Sequence, residues 1–155
     1  MKVSWRSLLK IGLPVLAFTL AMLIYPHMNN RMKLSDEVRQ HPLFSVYEEH
    51  YDNKALMGGI CDLNSDGLDD IIVVFSVDKD QNQCVVILAG DPPIITPPER
   101  APLEDVTIEF KDIDQTPPME FILAGSKSGN IGYAICRIKE DVIYSLFDAD
   151  MDHCC

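Results

Sequence analysis

Short apolar runs separated by turn residues dominate the sequence from residue 56 to residue 147. The runs are rich in Val, Ile, Phe and Tyr, and Gly, Asp, Asn or Pro stands between them. Runs of this length and composition predict β-strands joined by short turns. They cover residues 71–77, 84–89, 106–110, 121–124, 131–138 and 142–147. The predicted fold class is therefore mainly β, with a small antiparallel meander as the β domain over residues 56–147.

The preceding residues, 29–55, predict a connector made of short helices. Ser35 can cap a helix that has two acidic residues in its first turn. The pair His41–Pro42 would end that helix early, because proline cannot continue the backbone hydrogen bonding of a helix interior. Residues 43–51 then predict a second short helical piece before the strands begin.

The segment 91–102 interrupts the strand pattern, because five of its twelve residues are proline. Proline removes a backbone donor and is poorly tolerated inside a hydrogen-bonded ladder. The segment is therefore predicted to be an extended loop.

An internal repeat relates two parts of the β region. Residues 62–73 align without gaps on residues 112–123 at an offset of fifty, and Ser76 matches Ser126 at the same offset. In both copies an oxygen-rich loop precedes an apolar strand, and the period is typical of propeller blades. Because two copies cannot close a propeller, we expect a propeller-blade-like repeat within a small open or two-layer sheet.

Residues 1–28 have the pattern of an export signal. Lys2, Arg6 and Lys10 precede an apolar run from Ile11 to Tyr25, as in the basic and hydrophobic regions of a signal sequence. Bulky residues after the run favour an uncleaved signal anchor, which is a transmembrane helix. The basic flank would stay in the cytoplasm, so a single-pass protein of the cell membrane is expected, with its bulk on the extracytoplasmic side. Secretion after signal cleavage is the alternative.

The chain is acidic, with a formal net charge of −11 over 155 residues. That charge argues against nucleic acid as a partner. The sequence also lacks the G-x-S-x-G, H-E-x-x-H and phosphate-loop motifs, so an enzyme is the less favoured class.

One loop of the first repeat carries oxygen atoms at alternate positions. Its candidate ligands are the side chains of Asp62, Asn64, Asp66 and Asp70 and the backbone carbonyl of Leu68. Gly67 allows the sharp turn that wraps such a loop around a hard cation. The pattern resembles the calcium loop of FG-GAP type repeats in integrin-like propellers, which implies a bound Ca²⁺ that stabilises the fold. The alternative is an Asx-rich turn that leads into a strand. The second copy has Thr116 and Pro117 at two of these positions, and no metal is predicted there.

Five cysteines carry the remaining candidate chemistry. Cys61, Cys84 and Cys136 lie in or beside apolar runs, so we expect them to be buried in the core. Cys154 and Cys155 follow the last predicted strand, within an acidic segment, 148–155, that is predicted to be a flexible tail.

Adjacent thiols in the tail indicate a soft-metal site. Thiolates suit soft or borderline cations such as Zn(II), Cu(I) and mercury, and Cys154 and Cys155 could place two sulfur atoms on one metal ion. His153 is the candidate third ligand, or a base for the thiol. Its alternative is an ordinary surface histidine. The sequence has no second distant ligand pair of the kind that completes a closed structural zinc site.

The approach 148–153, the pair Cys154–Cys155 and the basic-flanked anchor resemble one family. This is the Cys-Cys-COOH (seleno)protein SaoC family of the selenocysteine-assisted organometal resistance systems. The resemblance implies transient binding of Hg(II) or an organomercurial, beside a transporter and thiol proteins of the same system. Some members are described with selenocysteine in the pair, so this chain would be the sulfur form.

The sequence therefore favours a membrane-anchored, exported thiol protein that binds or hands on a soft metal or organomercury through Cys154 and Cys155. Two alternatives stay open. One is a thiol–disulfide redox partner, since adjacent cysteines can close a strained and easily reduced ring. The other is a calcium-stabilised β interaction module in which the cysteine pair has no role.

Overall fold

The computed structural model describes residues 33–155. In this part of the chain, two short helices precede nine strands and a final helical turn. The helices are α1 (Asp36–Gln40), α2 (Pro42–His50) and α3 (Met151–Cys154). The strands are β1 (Ala55–Cys61), β2 (Asp70–Asp78), β3 (Gln81–Leu88), β4 (Ile94–Ile95), β5 (Glu99–Ala101), β6 (Glu104–Lys111), β7 (Glu120–Lys127), β8 (Asn130–Lys139) and β9 (Val142–Ala149).

The strands form two antiparallel sheets. Sheet A has the order β1-β2-β3-β4, with β5 pairing against the other end of β3, and sheet B has the order β6-β7-β8-β9. Apart from β5, neighbours in each sheet are consecutive in the chain, so each sheet is a meander. The prediction of a mainly β fold preceded by short helices is confirmed, and each predicted strand coincides with an observed one, with 84–89 extending one residue past the end of β3.

The two helices begin and end where their sequence signals lie. The side chain of Ser35 accepts a hydrogen bond from the backbone N–H of Val38 and caps α1. Helix α1 ends before His41, whose ring nitrogen in turn accepts from the N–H of Leu43 at the start of α2. Pro42 opens α2, where its missing donor costs nothing because the first turn of a helix has no backbone partner for it.

The helices cover one face of sheet A. Val38, Phe44 and Tyr47 pack in one cluster with Val73 and Phe75 of strand β2. The other face of sheet A packs against sheet B, where Ile72 and Val86 meet Phe121 and Cys136, and Val74 meets Leu123. Since successive side chains of a strand point to opposite faces, the β2 residues alternate between these two clusters. The layers are therefore helices, sheet A and sheet B.

The two sheets repeat one unit at an offset of fifty residues. In sheet A, the N–H of Leu63 donates to the carboxylate of Asp70 at 2.8 Å, and in sheet B the N–H of Ile113 donates to Glu120 at 2.9 Å. Both carboxylates are buried, with exposures of 0% and 1%. The same bond at matching positions ties each loop to the strand that follows it.

The two repeat units are stacked in the same orientation, so sheet A is covered on both of its faces. Within residues 33–155, no element covers the outer face of sheet B. This outer face corresponds, by the offset, to the face of sheet A that sheet B buries. Tyr133, Tyr144 and Phe147 lie on it with 40%, 50% and 51% of their surface exposed, and the rings of Tyr133 and Phe147 are 5.8 Å apart.

The proline-rich segment differs from the prediction of an extended loop. Strands β4 and β5 form short ladders with β3, and all five prolines lie outside them. The segment lies at a sheet edge, where ladders can be short and proline can stand between them. Strand β1 was also missed, because Gly58 and Gly59 break its apolar pattern.

The predicted anchor over residues 1–28 lies outside the described residues. Within 33–155, the helices are too short and too polar for any of them to cross a membrane.

Close contact between the sheets depends on Gly59, which faces Phe110 of β6. A Cβ atom at this position would lie 2.6 Å from the Phe110 ring. We therefore expect Gly59→Ala to lower the free energy of unfolding of the full chain by about 1–3 kcal/mol, as overpacking does. Urea unfolding measures it. Adding Phe110→Leu to the same variant should restore part of the loss, and a full, unrelieved loss in the double variant would contradict this contact as its cause.

Candidate soft-metal centre

Cys154 and Cys155 pack against sheet B. The backbone N–H of Leu103 donates to the carbonyl of Cys154 at 3.0 Å, and Lys127 Nζ donates to the carbonyl of Cys155 at 3.1 Å. Cys154 is fully buried and Cys155 is half-buried. We predicted a flexible tail over residues 148–155, and the structure instead has the end of β9 followed by the packed helix α3.

The packing of α3 depends on Gly132, a glycine of β8. A Cβ atom there would lie 2.6 Å from Cys154 Sγ and 2.7 Å from the carbonyl oxygen of Asp150. Asp150 has a left-handed backbone with a φ of 54°, which turns the chain from β9 into α3. Aspartate is among the residues that tolerate this conformation. The space for the Cys154 thiol is therefore set by a glycine on another strand, which local sequence patterns do not reveal.

Three sulfur atoms meet on α3. Cys154 Sγ lies 3.7 Å from Cys155 Sγ and 3.7 Å from Met151 Sδ. A disulfide would require about 2.05 Å between sulfur atoms, and all five cysteines are free. Met151 was not among the predicted ligands. The signal for it was its spacing of three residues from Cys154, which brings side chains together on a helix.

His153 lies apart from this sulfur cluster in its contacts. Its side chain is 71% exposed, and its Nδ1 atom is 3.9 Å from the carboxylate of Asp150. Cys154, the next residue, is buried. The arrangement matches the alternative of a surface histidine more closely than that of a third ligand.

A cavity of about 340 Å³ opens between the sheets beside α3. Cys84 of β3 and Cys136 of β8 line it together with Met151. Its remaining inner wall is apolar and includes Phe121, Leu123, Ala134 and Ile143, while the exposed Glu99, Arg100, Asp148 and Asp152 line it at the surface. Cys84 and Cys136 are buried, as predicted, but the sequence did not indicate that they share a cavity.

Burial keeps the cavity thiols protonated. Burial raises the pKa of Cys84, and the charges of Cys136, Glu99 and Cys155 raise it further. Burial also raises the pKa of Cys136 to about 12, with smaller contributions from Glu99 and Asp148. The charges of Cys136 and Cys155 both affect the pKa of Cys84. The cavity thiols and the sulfur cluster therefore interact electrostatically.

Cys155 is also a weak acid, although it has two basic neighbours. Burial and, to a smaller extent, the hydrogen bond and charge of Cys154 raise its pKa to about 12. Arg100 and Lys127 act in the opposite direction. A cation bound at the sulfur atoms would add to this positive field and favour the thiolate.

The candidate calcium loop is closed by its own side chains. The carboxylate of Asp62 accepts from the N–H groups of Asp66 and Gly67 at 3.2 and 3.0 Å. Asn64 Oδ1 also accepts from Asp66 N at 3.0 Å, and Asp66 accepts from Leu68 N at 2.8 Å. These are the contacts of an Asx-rich turn. Calcium binding by this loop stays a prediction.

Asp70 is engaged away from that loop surface. One of its oxygen atoms accepts from Leu63 N and the other from Ala89 N, each at 2.8 Å. Burial raises the pKa of Asp70, and the two hydrogen bonds oppose this shift. The side chain therefore joins the loop, β2 and the end of β3, which is a structural role.

Carboxylates converge instead at the second loop. Asp112, Asp114 and Glu120 have oxygen atoms within 4.8 Å of one another. The guanidinium of Arg137 bonds to Asp114 at 2.9 Å, to the carbonyl of Thr116 at 3.0 Å and also to Glu120. The protein thus supplies its own cation to this group.

Comparison of the chain with protein-family models, curated proteins and solved structures finds no match. The resemblances seen in the sequence therefore stay predictions.

The high pKa of Cys155 predicts slow thiol chemistry at neutral pH. Thiolate is the reactive form, so the rate of reaction of Cys155 with an uncharged disulfide should rise about tenfold per pH unit from pH 7 to pH 10. Peptide mapping of the full chain by mass spectrometry measures this rate. In urea, the rate of reaction of Cys155 should stop rising near the ordinary thiol pKa of about 8.5. A plateau below pH 9 in the folded chain would contradict the effect of burial.

Proposed function

We propose that this protein binds a soft metal cation through Cys154 and Cys155. The observation that carries the proposal is the meeting of two free thiols and the Met151 thioether, with Cys154 Sγ 3.7 Å from each of the other sulfur atoms. Sulfur donors of this kind select Cu(I), Hg(II) and related soft ions over Ca²⁺ or Mg²⁺. A small movement of the half-buried Cys155 would bring both thiolates onto one ion.

The surrounding charges suit the capture of a cation. The chain carries a net charge of −11, and Asp148 and Asp152 line the cavity beside the sulfur cluster. Arg100 and Lys127 lie near enough to lower the pKa of Cys155, so a bound thiolate has local compensation. The net negative charge thus attracts a cation from a distance, and the two basic side chains stabilise the thiolate that would bind it.

The finer parts of this proposal rest on the sequence. We propose that the cargo is Hg(II) or an organomercurial, bound transiently, and that residues 1–28 anchor the protein so that its bulk is extracytoplasmic. Secretion after cleavage is the alternative. A transporter and thiol proteins would be the partners, and a propeller-blade-like unit would form each sheet. The redox alternative uses the same two sulfur atoms, so the test must separate it.

Removal of the thiol pair should abolish tight binding of Hg(II). We expect Cys154→Ala alone to weaken binding about 100-fold or more, because two linked ligands gain about 10²–10⁴ in affinity over one. The double variant Cys154→Ala/Cys155→Ala should lose the site. Titration of the full chain, reduced and in a mild detergent, against a competing small dithiol measures both.

Cys61→Ala is the matched control, because Cys61 is a half-buried thiol of strand β1. This variant should bind Hg(II) as the unaltered chain does. Gly132→Ala keeps every sulfur atom but displaces α3, and it should weaken binding as well. Equal affinity of the double variant and the unaltered chain would overturn the proposal. Weak metal binding with a defined reduction potential between Cys154 and Cys155 would favour the redox partner instead.

The uncovered outer face of sheet B favours a second candidate function, an interaction module. Tyr133, Tyr144 and Phe147 expose about half of their surface there, and contiguous apolar faces of this kind often mark interfaces. The helices cover the opposite end of the stack, so copies cannot stack head to tail. A second copy would pair through the same face, which gives a closed two-fold dimer.

That dimer should depend on the aromatic face. We expect Tyr144→Glu/Phe147→Glu to shift the full chain in detergent from dimer to monomer in sedimentation experiments, because buried charge without a partner is costly. Leu68→Glu is the control, since Leu68 is 50% exposed on a loop outside this face. A monomer in all three chains would rule out pairing through sheet B.

A further inference from the structure

We propose that Cys84 and Cys136 form a second, inner soft-metal site within the cavity between the sheets. The inference deepens the proposed function and rests on it, because the inner site would receive its cation from Cys154 and Cys155. Cys84 comes from sheet A and Cys136 from sheet B, so the stacking of the sheets creates the pair.

Both thiols belong to the packed core, and both also line the cavity. A buried cysteine usually serves as a small apolar side chain within a close-packed core. Here both residues belong to the lining of a cavity of about 340 Å³. Both are free, with exposures of 0% and 6%. Two reduced thiols on facing sheets beside a shared cavity have the composition of a two-coordinate sulfur site.

The apolar wall limits the charge of the occupant. Phe121, Leu123 and Ile143 line the cavity, and a net charge next to such surfaces is costly. Two thiolates with a divalent soft cation form a neutral unit, as does one thiolate with a monovalent cation that carries an organic group. Ca²⁺ and Mg²⁺ prefer oxygen ligands, and Zn²⁺ prefers four ligands in a tetrahedron. The expected class is therefore a soft cation of low coordination number, with Hg(II) as the probe.

Met151 connects the two sites. Its side chain lines the cavity, and its sulfur atom lies 3.7 Å from Cys154 Sγ. A cation could therefore pass from the outer pair to the inner pair along sulfur ligands. The transfer takes two ligand exchanges. In the first, the metal–sulfur bond to Cys155 breaks and one to Cys84 forms; in the second, the bond to Cys154 breaks and one to Cys136 forms. In each exchange the proton of the incoming thiol moves to the released thiolate, and the oxidation state of the metal does not change.

Trypsin can report the inner site in the unmutated chain. Cleavage after lysine and arginine puts Cys84 in peptide 80–100, Cys136 in peptide 128–137 and the pair Cys154–Cys155 in peptide 140–155. We would add two equivalents of Hg(II) to the folded, reduced full chain, then unfold, digest and identify mercury-bridged peptides by mass spectrometry. The expected product is a bridge between 80–100 and 128–137. A chain unfolded before mercury is added should give mixed bridges.

Variants separate this inference from the proposed function. Cys84→Ala/Cys136→Ala should bind one Hg(II) where the unaltered chain binds two, and Cys61→Ala should still bind two. Met151→Leu keeps all thiols and should fill the inner site at least tenfold more slowly. The unfolding midpoint of each variant checks its fold.

Two results would overturn the inner site while the outer site stands. One is a folded chain without the 80–100 to 128–137 bridge, and the other is an unchanged stoichiometry in Cys84→Ala/Cys136→Ala. Full binding to Cys154→Ala/Cys155→Ala at an unchanged rate would instead overturn the outer site and the transfer from it. The experiment therefore assigns a failure to one site or the other.

Discussion

Burial of sheet A against sheet B is the interaction on which the rest of the structure depends. It excludes water from one face of each sheet, through Ile72 and Val86 on one side and Phe121 and Cys136 on the other. Burial of apolar surface is the dominant favourable contribution to folding. The same stacking brings Cys84 and Cys136 to one cavity, since neither sheet alone contains both. The meeting of Cys84 and Cys136 therefore depends on how the two sheets pack against each other.

The two repeats solve the same local problem with different residues. A loop must be joined to the strand after it, and a buried carboxylate does this in both sheets. Asp70 satisfies its oxygen atoms with the N–H groups of Leu63 and Ala89. Glu120 uses one N–H and the guanidinium of Arg137. Buried charge is tolerated only with such partners. Each repeat therefore has its own partners for its carboxylate, and no residue of the first repeat takes the part that Arg137 takes in the second.

The sequence was sufficient for the elements whose signals are local. Alternating apolar runs predicted six strands, and the cap at Ser35 predicted the first helix. Strand β1 was not predicted, because Gly58 and Gly59 interrupt its apolar run. The close approach of Phe110 requires a small residue at Gly59. The sulfur pair was found from the sequence, but its packed position was not, since that depends on Gly132 of a different strand. The convergence of Cys84 and Cys136 depends on sheet stacking, which no local pattern contains.

The packed position of Cys154 changes what the thiol pair can do. A free tail would have to lose conformational entropy before two sulfur atoms could hold one ion. Here α3 already holds three sulfur atoms together, so less ordering is left to the moment of binding. The arrangement also limits access, because Cys154 is buried and Cys155 only half-exposed. We propose that a site of this kind reacts slowly in general thiol chemistry but binds a cation that prefers sulfur.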